Sequence, residues 1–589
     1  MCGIAGLMTA DGAAPDQALL DVMSAALAHR GPDGRGRHLA GGVGMVHERL
    51  AIIDLQTGQQ PLQSGDGTAL VANAEIYNYL ELRAALGEAG FRTRSDCEPA
   101  LKLYGRDGDA FAEQLRGMYA IAIHDPAQET LVLARDPFGI KPLYYSEGPG
   151  GFAFASEPRA LLQAGFADGS LEDVALQELL QLQFTTGRET IYRGIHRVLP
   201  GETLNVSAGR VVARQERQAL PDLPPQALDE DTALAELDRL LTESVDLHQR
   251  ADVPYGMFLS GGIDSSALLA MMARLNERPV LAFTAGFTDA GVHDEREHAR
   301  MLAKRTGAHH VEVAFGEADF WQLLPSVAAV LDDPVADYAV LPTYKLAAAA
   351  KSAGLKVVLS GEGGDELFAG YGRYRDAVRP WWSGGPRAMR RHGRFDRLTL
   401  LERETPAWRD GIHAAESRFK RGHLSPLQAA QAVDAADWLP NDLLLKLDRC
   451  LMAHQVEGRT PLLDPVVGAF AFRLPDQLKV RNGQGKYLLR RWLEQQLPEA
   501  DPFSRKRGFT VPVAEWIHGQ GERLGPLVAT QPGVAAIAQP ERVKALYRRR
   551  GKREGFAAWT LLFYALWHRC HVLGAEPEGD VFETLATAA

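Results

Sequence analysis

The stretch VPYGMFLSGGIDSSALLAMMARL (253–275) decides the architecture of the longer part of this chain. It reads as a short apolar strand, a turn built on Ser260-Gly-Gly, and an apolar helix over 265–275. Gly261 and Gly262 let the backbone turn tightly and aim N–H groups inward, and the hydroxyls of Ser260, Ser265 and Ser266 add donors. The helix behind them offers its positive end, so the loop is a cradle for phosphate. No G-x-x-x-x-G-K-[ST] occurs in the chain, and Asp264 stands where a Walker loop would carry lysine. A carboxylate beside phosphates repels them unless a cation intervenes, so Asp264 implies Mg²⁺.

Outward from this stretch, strands and helices alternate. VLAFTAGF (280–287), HHVEVAF (309–315) and LKVVLS (355–360) read as buried strands, with HDEREHARMLAKRTG (293–307) among the helices between them. That alternation predicts an α/β, doubly wound parallel sheet, whose ligands bind at the carboxyl ends of strands where strand order reverses. LKVVL runs into Ser360-Gly-Glu-Gly-Gly-Asp-Glu366, a glycine-rich loop with three carboxylates. Such a loop suits either Mg²⁺ binding or acid/base work. The first third has a different texture. GMYAIAIHD (117–125), TLVLARD (130–136) and FAFAS (152–156) are strands parted by turns, with helical stretches at 79–90 and 171–182. Strands first and helices at the margins predict an α+β unit. Residues 205–230 are polar and Pro-punctuated, which places a boundary there and domains over 1–210 and 230–589.

Composition narrows the class. A chain of 589 residues with 46% hydrophobic and 24% charged residues has ordinary globular proportions. A net charge of −11 offers no pull toward nucleic acid or an anionic membrane, and the basic segment 542–555 reads as a solvated helix face. Four scattered cysteines form no disulfide framework, and His309-His310 lacks a ligand cluster for zinc. No apolar run nears the ~18 residues a bilayer demands, and no basic stretch leads into an apolar leader, so a cytoplasmic enzyme is expected. Cys2 directly behind Met1 fits poorly with a buried structural thiol.

Together these motifs carry a resemblance. SGGIDSS and SGEGGDE resemble the two pyrophosphate-loop signatures of asparagine synthetases, and MCGIAG is similar to the start of class II, N-terminal-nucleophile glutamine amidotransferases. His29-Arg-Gly-Pro-Asp33, Arg49-Leu-Ala-Ile-Ile-Asp54, Asn73-Ala-Glu-Ile-Tyr-Asn78, Ser95-Asp-Cys-Glu98 and Arg135-Asp-Pro-Phe-Gly-Ile-Lys-Pro142 also match. So do Glu457-Gly-Arg-Thr-Pro-Leu-Leu-Asp464, Gly485-Lys486 and Arg505-Lys-Arg-Gly-Phe509, in the expected order over nearly the whole chain. The resemblance implies an αββα N-terminal-nucleophile hydrolase sandwich, followed by the ATP-dependent synthetase domain.

It also implies roles. Removal of Met1 would leave Cys2 with an α-amine that titrates near ~8, so that one residue supplies nucleophile and base. Arg49 would clamp the carboxylate of glutamine, and Asp96 and Glu75 would take its ammonium. The Asn73 amide and the N–H of Ala74 would form the oxyanion hole. The family has glycine at position 74; if that backbone needs φ > 0, alanine there costs about 1 kcal/mol. In the second domain, Asp264 and Asp365 would bind Mg²⁺ and pyrophosphate. Phe258, Leu259, Ser260, Gly261, Gly262, Ser265, Ser266, Ala285, Ser360 and Gly361 would surround ATP. Lys486 would meet phosphate charge, although lysines in exposed helices ordinarily serve solubility. Glu362 would sit nearest the reacting carbonyl. The expected activity is glutamine-dependent amidation of aspartate, or of another carboxylate, with small-molecule substrates only and a homodimer as a possible assembly. The farther alternative, a non-catalytic nucleotide-binding descendant, is disfavoured by intact Cys2, Asp264, Glu362 and Asp365. The Asp332–Tyr338 segment is expected to shape the acceptor pocket.

Overall fold

The computed structural model describes residues 2–287, 295–379, 382, 384–385, 387–403, 405–504 and 511–587. Met1, the beginning of the helical stretch expected at 293, and the 505–509 motif lie outside them.

The first third is two stacked antiparallel sheets. One has the order β10 (His196–Arg197), β8 (Tyr144–Gly148), β9 (Gly151–Ala155), β1 (Gly3–Thr9), β3 (Val43–Arg49), β2 (Gly34–Ala40). The other runs β12 (Arg210–Glu216), β11 (Glu202–Ser207), β7 (Thr130–Arg135), β6 (Gly117–Asp125), β5 (Ala69–Ile76), β4 (Leu62–Gln63). Period-two alternation builds the layers. Ile4 and Met8 of β1 meet Ala69 and Val71 of β5 between the sheets, whereas Ala5 and Leu7 face outward onto helix Gln17–Leu27. On the opposite face, Leu70 and Ala72 pack beneath helix Glu98–Asp107. The result is the expected αββα sandwich. Gly3–Gly6 of the opening motif begin the central strand β1.

A new unit starts where Asp229 caps helix Glu230–His248, its Oδ1 accepting the N–H of Thr232 at 2.9 Å. It contains a five-stranded parallel sheet in the order β15 (His309–Phe315), β14 (Leu281–Phe287), β13 (Tyr255–Phe258), β16 (Val357–Leu359), β17 (Glu457–Arg459). Chain order reverses between β13 and β16, so the loops 260–266 and 360–366 leave adjacent strands at one switch point. The sequence EGR gave no sign of strand β17, because it is three residues long and none is a strand former. The basic segment forms parts of helices Pro540–Arg548 and Lys552–His571, with Arg548, Arg549, Arg550, Lys552 and Arg553 exposed.

Buried ion pairs join the two units. Arg30 Nη1 donates to Glu157 Oε1 at 2.7 Å and to Asp448 Oδ2 at 2.9 Å, and its Nη2 donates to Asp448 Oδ1 at 3.1 Å. Arg197 clamps Asp333 at 2.7 and 2.8 Å, and Arg159 N–H donates to Asp332 Oδ2 at 2.9 Å, while Arg449, of the same unit as Asp332, holds its Oδ1 at 3.0 Å. This narrows the expectation for Asp332–Tyr338 and its surroundings. Asp332 and Asp333 are wholly buried partners of the unit interface, and only the far end, Asp337 and Tyr338, reaches the site described below.

Asp448→Ala should leave Arg30 short of its bidentate partner in a dry interface. Loss of about 3 kcal/mol is expected, read as a lower urea midpoint. An unchanged midpoint would mean that Glu157 alone suffices.

Candidate active sites

Cys2 lies at the head of β1, 7% exposed. The register that pairs Gly3 with Glu48 sets Cys2 opposite Arg49. The Cys2 N donates to Asn73 Oδ1 at 2.9 Å, and its carbonyl accepts Arg30 Nε at 3.0 Å. Burial pushes the Cys2 thiol up, so it rests protonated and needs a base. Among the described residues the buried Nδ2 of Asn73 has no partner, a donor held ready beside the thiol.

Ala74 resolves the question raised by the missing glycine. It sits inside extended β5 and not in the left-handed region, so a side chain is tolerated without strain. Its backbone direction follows from its neighbours. Ala72 N–H donates to Gln60 Oε1 at 2.6 Å and Ile76 N–H to Asp96 Oδ2 at 2.8 Å. Ala74 lies between them, and by period-two alternation its N–H faces the same edge.

Arg49 is oriented by its own loop, with Nη2 donating to the carbonyls of Asp54 at 2.6 Å and Ile53 at 3.3 Å. Glu75 and Asp96 are 3% and 6% exposed. Burial raises both carboxyls, Asp96 to about 6. Two buried carboxylates that resist ionisation are suited to a ligand that brings its own positive charge.

The second site occupies the switch point. A cavity of about 310 Å³ is lined by Phe258, Leu259, Ser260, Gly262, Asp264, Ser265, Ala285, Ser360, Gly361, Glu362 and Asp365 among others. A neighbouring cavity of about 450 Å³ shares Ser260, Gly262, Asp264 and Asp365, and adds Gly261, Lys486 and Arg490. Ser266 lines neither; it is 1% exposed on the helix that follows the loop. Gly261 adopts φ +70, and Ser260 N donates to Ser265 Oγ at 3.1 Å, which closes the turn. Asp264 is wedged against the other loop: a Cβ on Gly364 would lie 2.3 Å from its Oδ1. Only glycine fits there.

Lys486, expected to meet phosphate charge, is 4% exposed and lies between the two carboxylates, not on an exposed helix face. Its Nζ pairs with Asp264 and lies 2.9 Å from Asp365 Oδ1. Burial alone would lower the ammonium, but the two anions outweigh it and hold the charge. Asp264 and Asp365 fit Mg²⁺, which takes one or two carboxylates and completes its shell with substrate phosphate and water. Glu362 is raised by burial, against the pull of Lys446. Lys446 was missed by sequence reasoning. It is 5% exposed, lines the 310 Å³ cavity and donates to Asp337 Oδ2 at 2.8 Å. Its one signal was a lone lysine inside the apolar run Leu443–Leu447.

Comparisons with known proteins agree with this division. Residues 236–569 match the family described as asparagine synthase, and residues 1–217 match the glutamine amidotransferase domain. The chain belongs to the asparagine synthase family and carries a glutamine amidotransferase domain. It is 36% identical to a putative glutamine-hydrolysing asparagine synthetase of Mycobacterium tuberculosis, with 97% of each chain covered. It is 32% identical to asparagine synthetase [glutamine-hydrolyzing] 1 of Bacillus subtilis, again over 97% of each. It is also 33% identical to the amidase chyE of Penicillium rubens, over 86% of this chain and 87% of that one. No helix among the described residues is long and apolar enough to cross a membrane.

The raised Asp96 carboxyl sets a pH dependence. Its charged form dominates above about 6, so glutamine binding through its ammonium should weaken as pH falls below that value. Titration of Cys2→Ala with glutamine should show Kd rising by nearly tenfold per pH unit from about 6 downward. A flat Kd between about pH 5 and 7.5 would remove Asp96 from the ammonium site.

Proposed function

We propose that this chain is an ATP-dependent carbon–nitrogen ligase that takes ammonia from glutamine and amidates a carboxylate, with aspartate the acceptor and asparagine the product. The carrying observation is one loop pair at the switch point, where Asp264, Asp365 and Lys486 converge in a chain that holds a buried Cys2 at the head of β1. In this reading residues 1–210 hydrolyse glutamine and residues 230–589 make the amide. We place the enzyme in the cytoplasm.

The α-amine freed by loss of Met1 takes the thiol proton as Cys2 attacks the side-chain amide of glutamine, and returns it to the departing nitrogen. The C–N bond breaks to release ammonia, and water then cleaves the thioester to free glutamate and restore the thiol. Asn73 Nδ2 and the Ala74 N–H hold the developing oxyanion, while Arg49, Glu75 and Asp96 fix the amino-acid end. At the switch point the backbone of Phe258, Leu259, Ser360 and Gly361 and the nearby Ala285 surround the nucleoside. The 260–266 loop holds the phosphates, and the acceptor carboxylate attacks the α-phosphorus, forming an acyl-adenylate with loss of pyrophosphate. Mg²⁺ held by Asp264 and Asp365 would neutralise charge on that leaving group. Lys486 follows the same charge. Glu362, its carboxyl raised by burial, accepts a proton from incoming ammonia as the amide forms and AMP leaves.

A second reading keeps this chemistry and changes the acceptor to a different carboxylate. Similarity to chyE, and to the amidase chry2 of Gibberella zeae at 28% identity, favours it. Mass spectrometry of products from ATP, glutamine and a panel of carboxylic acids decides between the two.

Cys2→Ala should make glutamine inert while ammonium salts at mildly alkaline pH still support amide formation, with AMP and pyrophosphate seen by phosphorus NMR. ADP and orthophosphate as primary products, or loss of ammonia-dependent synthesis in a folded variant, would defeat the scheme. Asp264→Asn should spare glutaminase activity and lower synthesis by at least ~10²-fold.

A further inference from the structure

The motif Glu457–Asp464 has so far only added an edge strand. Its third residue, Arg459, is wholly buried and touches both centres. Through its backbone it serves the synthetase loop: the Arg459 carbonyl accepts Ser360 N at 2.8 Å, just where β16 gives way to residues 360–366. Through its side chain it serves the glutamine pocket. Nη2 lies 3.0 Å from Glu75 Oε1, Nε donates to Glu457 Oε1 at 2.6 Å, and Nη1 donates to the carbonyls of His248 at 2.9 Å and Arg250 at 2.7 Å.

The contact with Glu75 is close but not aligned as a hydrogen bond. Glu75 Oε1 and Arg459 Nη2 are both buried, and among the described residues neither has a hydrogen-bond partner. An arginine locked by three other acceptors therefore stands over a carboxylate with spare acceptor capacity. A ligand ammonium arriving at Glu75 takes up that capacity and shares the negative charge that Arg459 alone now faces. In a buried site this redistribution is weakly screened, and Arg459 is rigidly joined to the strand that anchors Ser360.

We propose that Arg459 is a positioning residue that ties occupancy of the glutamine pocket to the placement of the 360–366 loop, keeping glutamine hydrolysis and amide formation in step. The inference rests on the functional reading above. Arg459→Lys in the full chain keeps the charge and the backbone and loses the planar fork. The variant should raise KM for glutamine about tenfold with glutaminase kcat within about twofold. AMP formation with ammonia and the carboxylate that serves the unaltered enzyme should stay within about twofold. The ratio of glutamate released to amide formed should climb from near one to several. Glu75→Gln should raise the same ratio, and the double variant should be no worse than the poorer single one. Multiplying effects in the double variant would overturn the inference. So would an equal loss of both activities with an unmoved ratio, which marks a merely structural arginine. If the unaltered chain releases neither glutamate from glutamine nor AMP from ATP with any carboxylate tested, the functional reading fails, and the inference falls with it.

Discussion

Everything in this molecule depends on a dry ionic joint. Arg30, Glu157, Asp448, Arg449, Asp332, Arg197 and Asp333 are all buried. Arg30–Asp448, Arg197–Asp333 and Arg449–Glu157 pair across the boundary, and Arg30–Glu157 and Arg449–Asp332 brace them from either side. Apolar side chains would join two surfaces at less desolvation cost. Charges, however, tolerate little sliding: an unpaired guanidinium in such a place is expensive, so one docking geometry is strongly preferred. Arg30 makes the consequence local. The same guanidinium that binds Asp448 also holds the Cys2 carbonyl, so Cys2 is placed by the second unit as well as by its own sheet.

Helix Leu445–Met452 spreads this placement to the other centre. Asp448 and Arg449 enter the joint, while Lys446, two residues before Asp448, lines the switch-point cavity beside Glu362. Asp33, from the His29–Asp33 motif, adds a second tie by accepting from both Ala51 N and Lys356 Nζ at 2.8 and 2.7 Å. Residues matched as family motifs far from either centre are thus largely the pieces that hold the centres in register.

At the switch point, geometry and electrostatics are hard to separate. Gly361 and Gly364 leave no room for a Cβ because Asp264 presses against them, whereas Gly363 adopts φ +91 against Leu463. Lys486 adopts φ +59, unusual for a side chain of its size, and so delivers its ammonium between two carboxylates.

Several features were legible in the linear sequence because they rest on local rules. Strand–loop–helix at 253–275 needs only periodicity and glycine, and the parallel alternation that follows needs little more. The antiparallel strands around 117–156 announced themselves by apolar runs between turns. Cys2 and the two glycine-rich loops were visible because their chemistry is compact in sequence. Other features belong to contacts between residues hundreds of positions apart. No local pattern tells Asp332 to meet Arg449, turns Lys486 from a solubilising residue into a buried counter-charge, or makes Glu457–Arg459 a strand. Nor could the glycine expected at 74 be judged without seeing that β5 is extended there. The sequence by itself determined which elements form and which groups can do chemistry, since propensity, period and side-chain type act over a few residues. Only the tertiary structure decided which charges lose their water together, because burial is a property of the packed whole.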